Sequence, residues 1–170
     1  MCEITDGFSK ICDAAGGVAK AYGWSTAETD TLTFANGTIT ALTLNSGKYA
    51  YPIEFELGTS TYTDTGIGDR ATSSYGREQS ATIMIAGNTA AIIANIESIA
   101  KGRTTIAFEL NDGSYEVLFL ENGAKLIDER NVGTNYEDMN GHTLTFTGKE
   151  KNKAPKVSSA IVLALLEPAS

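Results

Sequence analysis

The segment TLTFANGTITAL, residues 31–42, constrains the fold more than any other stretch, because Asn36-Gly37 sits between two runs that alternate threonine with apolar residues. The tightest antiparallel turn needs positive φ at both central positions, which Asn and Gly adopt at little cost, and a strand with one buried face needs period-two alternation. The same grammar recurs along the chain. Turns are expected at Asn45-Ser46-Gly47, Asn111-Asp112-Gly113 and Asn122-Gly123. In KYAYPIEFEL (48–57), Tyr49, Tyr51, Ile53, Phe55 and Leu57 fall on one face and Ala50, Pro52, Glu54 and Glu56 on the other. Pro52 cannot donate to a ladder, so this strand is expected at an edge or a bulge. QSATIMIAG, RTTIAFEL and HTLTFTG continue the alternation, while KVSSAIVLALL (156–166) is apolar on both faces and reads as a central strand covered on both sides.

One helix is expected over 88–101. Asn88 or Thr89 would cap its start and Gly102 would close it, with Ile92, Ile93, Ile96, Ile99 and Ala100 as the stripe that packs on a sheet. With 170 residues, 42% hydrophobic and 20% charged, the chain has the profile of one domain with a real core. The expected fold class is therefore mainly β, a sandwich or open barrel of antiparallel strands with one packed α-helix. Residues 1–24 read as an arm ending in a short strand, and TYTDTGIGDRATSSYGREQ (61–79) reads as a long polar loop, bounded at 61–78, at the tip of a hairpin.

The formal net charge of −8 argues against a sequence-independent nucleic-acid binder, which needs clustered cations. The single basic cluster, KEKNKAPK (149–156), reads as a solvated loop. Cys2 and Cys12 have no second pair with which to build a metal box, no segment reads as a signal peptide or a membrane span, and a reducing cytoplasm is the expected compartment. Chemistry is equally sparse. His142 has no nucleophile motif beside it. Glu54 and Glu56, about 7 Å apart on a strand, could serve a hydrolase. DTGIGD (64–69) has the look of a calcium loop, but Tyr75 stands where a bidentate carboxylate is needed. Neither an enzyme nor a cofactor is expected. Glu54, Glu56, Glu109 and Glu116 fall on outward registers and predict one acidic, threonine-rich sheet face.

The N-terminal pattern C-E-I-T-D-G-F followed by Cys12 and Gly16-Gly17, together with GHTLTFTGKEKNKAPKV near the C-terminus, resembles structural proteins of tailed bacteriophages that infect Bacteroidota. Within that group the element order is similar to the tail tube proteins. The resemblance implies a virion structural protein whose rings, usually hexameric, stack into a tube, with inner sheets joined edge to edge around a lumen for DNA and the tape measure protein. It would act in the virion tail after assembly in the host cytoplasm, with sheath, neck and baseplate proteins as further partners and no membrane. On that reading Asp64, Asp69, Arg70 and Tyr75 would contact another copy, and Glu54, Glu56, Ser80 and Thr82 would line the lumen. A neck, terminator or baseplate ring protein of the same fold and a β-sandwich module binding a cell surface stay open as alternatives.

Overall fold

Asn36 and Gly37 take φ of 53° and 75°, so the strands on either side of them close into the expected hairpin. The computed structural model describes residues 15–168. Its elements run β1 (Val18–Ser25), β2 (Thr29–Ala35), β3 (Thr38–Leu44), β4 (Tyr51–Ile53), β5 (Thr61–Asp69), β6 (Ser74–Ala86), α1 (Ala90–Lys101), β7 (Thr104–Leu110), β8 (Tyr115–Leu118), β9 (Lys125–Asn131), β10 (Gly141–Glu150), β11 (Lys156–Val157) and α2 (Ser159–Ala164). They form a seven-stranded sheet in the order β2-β3-β11-β8-β7-β1-β4 and a four-stranded sheet in the order β5-β6-β10-β9. The fold is mainly β and the two sheets pack as a sandwich.

Two apolar layers hold it together. Between the sheets, Ile106, Phe108 and Leu118 meet Ile83, Leu144 and Phe146, with Ile96 of α1 completing the layer. Behind the larger sheet, Trp24, Ala107 and Val117 meet Ile39 and Leu42 of the β2–β3 hairpin and Val162 of α2. Strand β7 lies between the layers, and all five residues from Thr104 to Phe108 are buried. The doubly covered central strand expected at 156–166 is thus supplied by β7. Segment 156–166 instead gives the two-residue β11 and then α2, because the Ser158 hydroxyl accepts from Ile161 N and caps a helical turn. An apolar run without a period fits a buried helix as well as a buried strand, and here the cap decides.

Three further expectations change. Residues 61–78 are not a loop but a ladder, with β5 and β6 paired from Thr61↔Thr82 to Asp69↔Ser74 and only Arg70–Ser73 forming the turn. Threonines at alternate positions fill the outer face there, and Gly66, Gly68 and Gly76 are accommodated within the ladder. Of 48–57, only Tyr51–Ile53 is strand; it is the edge that Pro52 predicted, but Ala50 is buried while Tyr51 and Leu57 are exposed. On α1, Thr89 is the cap, and the stripe on the core is buried Ile96 with half-buried Ile92 and Ile99, leaving Ile93 and Ala100 exposed one residue round the helix. Residues 18–24 of the expected arm are β1, seated between β7 and β4. Cys2 and Cys12 lie outside the described residues.

Candidate functional site

The outer face of the four-stranded sheet is a regular array of hydroxyls. Its cross-strand rows read Thr63, Ser80, Thr147 and Lys125, then Thr61, Thr82, Thr145 and Ile127, flanked by Thr65 with Glu78 and by Met84, Thr143 and Glu129. Each is exposed or half-buried, while the alternate residues Ala81, Ile83, Leu144 and Phe146 fill the sandwich core. The charges on this face are mixed, Glu78, Glu129 and, at the hairpin end, Asp69 against Lys125 and Lys149. Ser80 and Thr82 therefore share one surface. Glu54 and Glu56 do not join them: both are exposed and follow edge strand β4 of the other sheet.

Strands β5 and β9 are the two edges of this sheet, and each has one side without a strand partner among the described residues. All pairings within the sheet are antiparallel. With four strands, the outermost two run in opposite directions.

The residues expected to contact another copy separate into two groups. Asp64 is committed within the chain: its Oδ1 accepts from Arg77 Nε at 2.9 Å and its Oδ2 from Ala154 N at 2.9 Å, while Arg77 Nη2 donates to its carbonyl at 2.7 Å. Both side chains are largely buried, and the Asp64 carboxylate raises the affinity of Arg77 for its proton. Asp69, Arg70 and Tyr75 stay at the exposed end of the hairpin. Asp69 Oδ1 accepts from Ala71 N at 2.8 Å and so shapes the turn. The Tyr75 ring is exposed, with its hydroxyl accepting from Arg77 Nη1 at 3.3 Å. Nothing local in the sequence marks Arg77, because its partner lies 13 residues away across the hairpin.

The single acidic face does not form. Phe108 is the partner of Glu116, and Glu109 is the partner of Tyr115, so the two glutamates project from opposite faces of the sheet. Glu116 accepts from the Tyr62 hydroxyl at 2.5 Å, and the Tyr62 ring stacks on Phe108 with centroids 4.9 Å apart. Glu109 faces Lys20 at 3.6 Å. Burial, reinforced by Glu116, raises the Tyr62 hydroxyl, and burial beside Glu109 pushes Tyr115 up to about 12. Both phenols hold their protons more tightly folded than unfolded. Their contribution is complete below the unfolded value of 10 and is lost as pH rises beyond it. Denaturant midpoints should therefore fall progressively above pH 10 and the fall should be shallower in Tyr62→Phe; midpoints that stay flat up to pH 12 would refute this.

Other polar groups stabilise the fold. Glu150, raised by burial, accepts from Glu121 N and Asn122 N and closes the turn before β9. Gln79 Oε1 accepts from Phe119 N, and Thr105 Oγ1 donates to Phe119 O, which together hold Phe119 at a φ of 59°. His142 lies buried in β10, with Nε2 2.9 Å from Asn88 Oδ1. An open groove of about 360 Å3 lies along β1 and β4; Glu54 lines it beside Lys20, but Glu56 does not. Among the described residues no three His, Cys, Asp or Glu side chains gather as metal ligands, and no helix is long and apolar enough to cross a membrane.

The class that fold and surface define is a two-sheet β-sandwich whose four-stranded sheet has a hydroxyl-rich outer face and ends, among the described residues, in edge strands β5 and β9. Compared with family models, curated proteins and solved structures, the chain matches none.

Proposed function

We propose that the chain is a virion structural protein that joins copies of itself into rings and stacks them into a phage tail tube, the conduit for DNA ejection. The observation that carries this reading is the four-stranded antiparallel sheet whose outermost strands, β5 and β9, each lack a second strand partner among the described residues. Rotation about a ring axis keeps strand direction, so β9 of one copy would meet β5 of the next in the antiparallel sense, as an even strand number requires. Repeating the step closes a barrel, which removes edges that are an aggregation liability in a monomer. The main-chain donors and acceptors along β5 and β9 would then find partners, and this supplies much of the driving force.

In that arrangement the threonine face lines the lumen, including Ser80 and Thr82. Neutral hydroxyls and mixed charges without an excess of cations would not hold phosphates, so DNA and a tape measure protein could pass. Glu54 and Glu56 follow edge strand β4 of the other sheet and are no longer lumen candidates in this proposal. The setting is the virion tail after assembly in the host cytoplasm. A neck, terminator or baseplate protein of the same architecture would stop at one ring.

Negative-stain electron microscopy of the purified chain should show rings or hollow tubes. Hydrogen exchange separates edge pairing from other contacts: on assembly the amides of β5 and β9 should slow at least about tenfold, while β6 and β10, already paired on both sides, change little. Small monodisperse particles at all concentrations, or protection that leaves β5 and β9 untouched, would remove the reading.

A further inference from the structure

The four-stranded sheet has chemically different ends. Strand β10 runs from Gly141, beside Asn131 and Ala86, to Glu150, beside Arg77, and Lys125 lies level with Thr147. At the Glu150 end stand Arg103, Lys125, Lys149, Lys151 and Lys153, all exposed; Arg103 is placed there by its bond to Asn122 O at 2.9 Å. Among the described residues the exposed acids at that end, Asp69, Glu78 and Glu121, are fewer. At the Gly141 end stand Asp128 and Glu129 of β9 and Glu137 and Asp138 of the following loop. Among the described residues of that end, Arg130 is engaged by Gly141 O and Asn140 Oδ1. The same loop exposes Val132 and Tyr136, and the opposite end exposes Tyr75 on the hairpin.

We infer that these ends are the two halves of one head-to-tail contact between copies of this chain, the basic end of one seating on the acidic end of the next. The inference rests on the tube reading, for which it supplies the contact between rings. Charge is complementary, each half carries an exposed aromatic, and the two patches differ, so the contact is heterologous and does not close on itself. Growth along the strand axis follows. An exposed contact of this kind weakens as the screening length shrinks from about 10 Å at 0.1 M salt to about 3 Å at 1 M.

The test uses charge reversal in the full chain. Lys149→Glu with Lys151→Glu and Lys153→Glu gives one variant, and Glu129→Lys with Glu137→Lys gives another; Asp138 is left intact because it accepts from Thr134 N and Asn135 N within its own loop. Each alone should lose stacking at least about tenfold by sedimentation, with single rings remaining, whereas the two mixed should stack in alternation. That rescue excludes misfolding as the cause. Variants that stack like the parent, or a mixture that does not recover, overturn the contact. Parent rings that never stack at any salt overturn it and leave the ring reading intact. Single-file filaments without rings overturn the ring reading and leave the contact intact.

Discussion

Asp64→Ala is expected to destabilise the chain by about 3 kcal/mol, because removing one partner of a buried ion pair strands the other. Arg77 would keep its charge in a site where its side chain is 14% exposed, and Ala154 N would lose its acceptor. For a chain of this size the loss corresponds to a fall in melting temperature of roughly 6–12 °C. Asp64→Asn should fall between the two, since an amide oxygen still accepts from Ala154 N or Arg77 but no longer neutralises the guanidinium. Thermal and urea unfolding of the three proteins would measure the order. A change below about 1 kcal/mol for Asp64→Ala would mean that water replaces the carboxylate and that the pair is not the clamp described here.

The second large effect concerns assembly. Gly66 and Arg77 are cross-strand partners, so Ile67–Gly76 can be exchanged for Asn-Gly, which joins them by a two-residue turn. The shortened hairpin keeps Asp64, Arg77 and the link to Ala154, and the chain should fold with little change in melting temperature. It loses Asp69, Arg70 and the exposed Tyr75 at the end that the proposed stacking contact uses. The concentration needed for tubes should rise at least tenfold, or about 1.4 kcal/mol. Normal tubes from the shortened chain would show that the hairpin tip does not take part in the contact between rings.

Where local chemistry decides, the reading of the chain agrees with the structure. Asn36-Gly37, Asn111-Asp112-Gly113 and Pro52 each act through their own backbone, and each lies in the turn or edge expected of it. The helix cap at Thr89 and the alternation through Ser80–Ile85 are local in the same sense. Residues 61–78 misled because glycine and polarity are shared by loops and by strands with a solvated face; what makes them a strand is pairing with a partner along its whole length. The same holds for 156–166, whose apolar residues suit two elements equally. Glu109 and Glu116 differ by seven residues across a tight turn, and their opposite projection follows from the register of β7 on β8.

Period-two patterning, turn dipeptides and caps determined that this protein is a β-rich domain with a helix after β6, because each of those signals is a property of a few neighbouring residues. The tertiary structure alone decided which strands share a sheet, that Asp64 turns inward to Arg77, that the threonines of three strands fall into rows, and that β5 and β9 are left as edges. Those outcomes depend on contacts between residues far apart in the chain, whose pairing is set by how the whole apolar surface is best buried.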